Sequence, residues 1–167
     1  MIIFLVIVAV VVLVGGVGVF FGAPFVPTRK IWVDDALKLA EISRNDVVVD
    51  LGSGDGAVLA EALKFGAKKA VGYEINPLLV AWSRIRLRKF REKVEIFDVD
   101  FFRAKLPRDT TVVYLFQIER VAKKLPVWLA AQRGEIVAKK LKVVSFGFDI
   151  PDMKVIRAKN GMKLYEL

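Results

Sequence analysis

Apolar positions change their spacing repeatedly along this chain, and each change marks an element. An unbroken apolar run, "MIIFLVIVAVVVLVGGVGVFF", opens it, and the Pro-containing stretch "GAPFVPTRK" (22–30) follows. From 33 to 42, Ala36, Leu37, Leu39, Ala40 and Ile42 fall on one helical face. Short runs then alternate. The valine-rich "DVVVDL" (46–51) predicts a buried strand, "AVLAEALKFG" (57–66) a helix stopping at Gly66, and "KAVGYE" (69–74) a second strand. "PLLVAWSRIRLRKF" (77–90) predicts a helix opened by Pro77. Trp82, at helical spacing from Leu78, Leu79 and Ile85, is expected in the core. Strands are predicted at "VEIFDV" (94–99), "TTVVYLF" (110–116) and "LKVVSFGF" (141–148). "ERVAKKLPVWLAAQ" (119–132) predicts a helix kinked or broken near Pro126. "MKVIRAK" and "MKLYEL" flank Asn160–Gly161, a dipeptide that tolerates the positive φ of a tight hairpin.

Strands separated by helices predict an α/β fold: a seven-stranded, Rossmann-like, doubly wound sheet. The closing hairpin adds an antiparallel edge. The expected organisation is an anchor at 1–23, a junction at 24–32 and a folded domain at 33–167.

Charge sharpens the picture of the leader. Residues 1–27 contain no Lys, Arg, Asp or Glu. As helix, the run to Phe21 would extend about 32 Å, against roughly 30 Å of bilayer hydrocarbon. A cleaved signal would carry a basic start and a shorter apolar core. The run therefore predicts one N-terminal transmembrane helix that attaches the domain to the lipid bilayer. Arg29 and Lys30 follow directly, which predicts a single-pass protein with its domain on the cytoplasmic side. Gly18 and Gly22 form a GxxxG pair compatible with a weak homodimer, although glycine is common in membrane helices.

The net charge is +9. Charge alone does not choose among nucleic acid, anionic lipid and an acidic partner. No nucleic-acid module is recognisable, so no nucleic acid is expected. Arg84, Arg86, Arg88, Lys89 and Arg91 read first as a solvated helix face and second as a contact for lipid headgroups. The chain has no Cys and no His. That excludes thiolate nucleophiles, imidazole bases and Cys/His zinc sites, and no metal is expected.

"VVVDLGSGDGAVLA" carries the candidate chemistry. Gly52, Gly54 and Ala57 satisfy the G-x-G-x-x-G/A pattern of a dinucleotide turn. Yet Asp50 ends the preceding strand and Asp55 lies inside the turn, where a pyrophosphate would meet two negative charges. Glu74 ends the next strand, where a carboxylate accepts hydrogen bonds from ribose hydroxyls. A nucleoside with a cationic amino-acid tail suits this set better than NAD does, and S-adenosyl-L-methionine (AdoMet) is such a molecule. Taken singly, Asp50 and Asp55 are equally good helix caps or turn formers.

These residues also carry a resemblance. "VVDLGSGDG" followed by "AVGYEINP" resembles the first two motifs of class I AdoMet-dependent methyltransferases. With "FVPT" and "GYEINPLLVAWSR", the match over roughly Pro24 to Arg84 resembles the membrane-anchored protein-lysine methyltransferases related to ATP synthase c-subunit lysine methyltransferase. The resemblance implies AdoMet as cofactor, with Asp50 at its sulfonium or amino end and Gly52, Ser53, Gly54 and Asp55 forming the turn. It implies Glu74 at the ribose, Asn76 beside the adenine, Asp100 at the adenine amino group (Asp98 competes) and Phe101 or Phe102 near the ring. Thr28, in "FVPT", would help cover the cofactor. Gln117, just past the fourth strand, or Tyr114 would orient the substrate amine. The implied substrate is an accessible lysine on a membrane protein, such as the ATP synthase c-subunit. Methylation of a lipid or quinone, and a non-catalytic AdoMet-binding membrane module, are the alternatives.

Overall fold

The computed structural model describes Met1, Leu5 and residues 29–116 and 119–167. Apart from Met1 and Leu5, the predicted anchor lies outside the described residues, as do the junction through Thr28 and Gln117. Among the described residues, no helix is long and apolar enough to cross a membrane.

The strands are β1 (Val47–Leu51), β2 (Lys69–Glu74), β3 (Val94–Asp98), β4 (Val112–Leu115), β5 (Lys142–Phe146), β6 (Arg157–Lys159) and β7 (Met162–Glu166). They form a seven-stranded sheet of order β3-β2-β1-β4-β5-β7-β6. The first five in sequence pair in parallel, and β7 and β6 add antiparallel pairings. The helices are α1 (Lys30–Leu39), α2 (Ala57–Lys64), α3 (Pro77–Arg86), α4 (Glu119–Ala122) and α5 (Leu125–Arg133). Short 3-10 turns occupy Arg88–Phe90 and Phe101–Arg103.

The unbroken valines of β1 follow from burial on both faces of the sheet, which a parallel sheet between helix layers requires. Val48 packs with Val112 and Val144 beneath α1, whose Val33, Ala36 and Leu37 belong to the same cluster. Val49 points the other way and packs with Val71, Val113 and Val143 against Leu125 and Leu129 of α5. The hairpin completes the α1 side. Met162 and Leu164 join that cluster, and Asp35 of α1 accepts hydrogen bonds from Lys159 at 2.8 Å and Asn160 at 2.7 Å. Those two bonds hold the Asp35 carboxyl below its usual pKa.

Several element limits move from their expected places for physical reasons. α1 starts at Lys30 rather than 33, with extended Arg29 as its cap and a Lys30–Asp34 ion pair of 2.7 Å across its first turn. The 119–132 segment is two helices, and Pro126 sits in the first turn of the second, where a missing N–H costs no helical bond. The fifth strand stops at Phe146, where Gly147 takes a φ of 82°. Asn160 and Gly161 adopt φ of 50° and 80°, as a tight hairpin demands. Trp82 is a correction: it is 59% exposed, and the buried side of α3 is formed by Val80 and Ser83 instead.

Candidate active site

The strand order reverses between β1 and β4, so a crevice opens at the carboxyl ends of the strands there. The glycine turn leaves β1 at this point. The backbone N–H groups of Gly52 and Ser53 donate to the carbonyl of Tyr73 on β2, at 2.8 and 2.9 Å. The Gly54 N–H donates to the Glu74 carboxylate at 2.8 Å. Gly52, Gly54 and Gly56 hold φ of 90°, 54° and 77°, values that strain a residue with a side chain.

The turn is pressed onto β2 at Gly72. A Cβ at Gly72 would come within 2.6 Å of the Ser53 Oγ and 2.8 Å of Leu59. Sequence reasoning passed over Gly72. The available signal was a glycine inside an otherwise apolar strand, which marks a close backbone approach.

Asp50 lies in register with Gly72 on one side and Tyr114 on the other, so the three form one row across the sheet. Its side chain is buried at 3% exposure, and no described residue donates a hydrogen bond or ion pair to its carboxyl. Burial, with the neighbouring Glu74 and Asp55 charges, pushes its pKa well above the carboxylate range. The Ser53 Oγ is likewise buried, with no hydrogen-bond partner among the described residues. Buried polar groups in folded proteins are normally satisfied. A buried carboxyl at the end of β1 and a buried hydroxyl within the glycine turn, neither with a described partner, make an environment that a cationic, polar ligand would complete.

Glu74 is buried, and backbone donors fix both of its oxygens. One accepts from Ile75 and Asn76 at 2.9 and 2.8 Å, and the other accepts from Gly54. The carboxylate thereby joins the glycine turn to the start of α3 with lone pairs left over. Asn76 is buried and caps α3, its side chain accepting from the Leu78 N–H at 3.0 Å. Val99 donates to the Glu74 carbonyl at 3.0 Å, which brings the chain toward Asp100 alongside. Asp100 caps the next 3-10 turn through the Phe102 N–H at 3.0 Å. Asp50, Ser53, Gly54, Glu74 and Asn76 therefore gather at the turn, with Asp100 just beyond.

Other expected site residues also make contacts within the fold. The Asp55 carboxylate accepts from the Ala57 N–H at 3.1 Å and pairs with Arg86 at 2.9 Å. It ties the turn to the start of α2 and to the end of α3. Phe101 is buried in the core, 4.4 Å from the Phe102 ring and 5.6 Å from Trp128. Tyr114 is buried on the sheet face that α1 covers. Asp98 is exposed at the end of the edge strand β3. Among the described residues no cluster of acidic side chains could hold a metal.

This fold and this turn define a class I methyltransferase. Residues 50–157 match the family model of the ANTKMT methyltransferase domain. A protein-lysine N-methyltransferase from Saccharolobus islandicus is 33% identical over 144 residues, covering 83% of this chain and 86% of that protein. The ATP synthase c-subunit lysine N-methyltransferase from Xenopus laevis is 49% identical over 63 residues, 38% of this chain but only 27% of that enzyme. The crystal structure of an RNA methyltransferase from Salinibacter ruber, in complex with S-adenosyl-L-homocysteine, superposes with a TM-score of 0.74 at 35% identity. That overlap covers 84% of this chain and 92% of the other. The chain belongs to the ANTKMT methyltransferase domain family, among protein-lysine N-methyltransferases, and AdoMet is its cofactor.

Proposed function

We propose that this methyltransferase is held at a membrane by its N-terminal run and methylates a lysine of a membrane protein. The ATP synthase c-subunit is the first substrate to test. The observation that carries the cofactor side is the buried Asp50 carboxyl beneath the glycine turn, without a partner among the described residues. The uncharged residues 1–27, followed at once by Arg29 and Lys30, support the anchor and a cytoplasmic domain. Relatives named for the ATP synthase c-subunit and for adenine nucleotide translocase support a protein lysine as acceptor.

AdoMet supplies an activated methyl group on a sulfonium leaving group. The protein's part is to bind, orient and exclude water. Asp50 would hold the cationic end, Glu74 the ribose, and the glycine turn would let the backbone approach closely. Asn76 and Asp100 would border the adenine. Thr28 would help cover the cofactor. The substrate amine must shed a proton, and its unperturbed pKa is about 10.4. With no His in the chain, burial at the crevice mouth would favour the neutral amine. Tyr114 and Gln117, at and just beyond the end of β4, would orient it.

The test incubates the purified full chain and membranes with methyl-labelled AdoMet, then hydrolyses the labelled protein. Methyl-lysine in a membrane protein, lost in Asp50→Ala, supports the reading. Label confined to the lipid extract overturns the lysine assignment. A second reading has its own observation, because the Salinibacter ruber relative is an RNA methyltransferase. Label in added RNA and none in protein would favour it.

A further inference from the structure

We infer that α3 and the 3-10 turn after it form a docking face for an anionic bilayer surface. This inference rests on the proposed membrane attachment. Leu78, Trp82 and Ile85 are all exposed, and helical periodicity places them within an arc of about 60°. The opposite side of the helix is the buried one, with Val80 and Ser83 against the domain. An apolar ridge with Trp at its centre thus faces outward rather than into the core.

Charge chooses the occupant. From Pro77 to Arg91 the chain contains Arg84, Arg86, Arg88, Lys89 and Arg91 and no acidic residue. Arg86 is paired with Asp55, and Arg84 donates to the Ile96 carbonyl at 2.9 Å. Among the described residues, Arg84, Arg88, Lys89 and Arg91 form no ion pair. Exposed apolar side chains flanked by such cations are the composition of an interfacial helix on anionic lipid. Trp favours the headgroup level of a bilayer.

Position agrees with charge. Lys30, among the first described residues after the uncharged run, lines one groove together with Arg86 and Lys89. The cationic end of α3 therefore lies beside the place where the run enters the domain. A bilayer holding that run would meet this end of α3 first. The same helix is capped by Asn76, whose backbone N–H bonds to Glu74, so docking would set the cofactor crevice close to the headgroups.

The experiment reconstitutes the full chain with phosphatidylcholine vesicles, with and without phosphatidylglycerol, and measures flotation and Trp quenching by brominated lipid. Wild type is compared with Trp82→Phe and with Arg88→Gln/Lys89→Gln/Arg91→Gln. The expected result is a quenched component that needs phosphatidylglycerol and is missing in Trp82→Phe. It weakens about fivefold for each charge removed. It also fades in about 1 M salt, where the screening length falls to about 3 Å. Protein that floats on anionic vesicles with Trp82 unquenched overturns the docking face and leaves the anchor standing. Failure to float on phosphatidylcholine alone overturns the anchor, while salt-sensitive quenching on anionic vesicles would still sustain the face. Protection of Trp82 by added RNA, with no quenching by lipid, overturns the choice of occupant.

Discussion

Asp50 is placed at a cost to the ligand-free fold. A carboxyl whose folded pKa lies above its unfolded value of about 3.9 binds its proton more tightly when folded. Its stabilising contribution is fully present below that value and is lost as pH rises through the folded pKa. Asp50→Asn should therefore melt above wild type in the ligand-free state at neutral pH, and the gap should close below about pH 4. The same variant should lose AdoMet binding by calorimetry. A variant that melts lower at neutral pH and binds normally would show that the carboxyl is structurally paired. Asp50, the glycines and Glu74 were legible in the sequence because strand, turn and second strand fix their spacing. The contacts that Asp55 and Phe101 make within the fold were not. Their partners, Arg86 and Trp128, lie 31 and 27 positions away and meet them only in the folded chain.

The elements show how far pattern carries. β2 begins and ends where the sequence predicts, since both of its limits coincide with a switch of periodicity. α3 was recognised as a helix, yet its exposed and buried sides were exchanged. Apolar residues at helical spacing define a face, but periodicity does not say what that face meets. The pattern of α3 is instead set by its two ends. Asn76 caps the first turn, and Arg86 closes the last against Asp55. Asn76→Ala should cost about 1 kcal/mol in chemical denaturation, the usual value of an N-cap. It should also weaken AdoMet binding, because losing the side-chain cap loosens the turn that aims the retained backbone N–H of residue 76 at Glu74. A full stability loss with unchanged AdoMet affinity would confine Asn76 to capping.

For the whole molecule, the glycine turn is tied by its own backbone to the end of the buried strand β2. Its hydrogen bonds to Tyr73 and Glu74 are already made without ligand. AdoMet should therefore bind a formed site and stabilise the fold by simple linkage. At 100 times its Kd the gain is about 2.7 kcal/mol. Thermal denaturation with AdoMet and with NAD measures this. A shift with AdoMet alone is expected, and an equal shift with NAD would contradict the role given to the acids. The sheet order was legible only as a class. Alternation of strands and helices implies a doubly wound sheet, but the insertion of β7 between β5 and β6 depends on contacts that a pattern cannot display.

The hairpin also bears on how the chain is made. The core beneath α1 is completed by Met162 and Leu164, and Asp35 waits for Lys159, 124 positions later. A ribosome delivers α1 early and the strands that cover it last. The first helix can pack on β1, α2, β4 and β5 as they emerge, but its cover stays incomplete until the hairpin is made. Long-range closure of this kind is slow and exposes chains to aggregation. A nascent chain tethered at a membrane by its first residues would spend that interval apart from its neighbours, so the attachment proposed for catalysis would also serve as a shelter for folding.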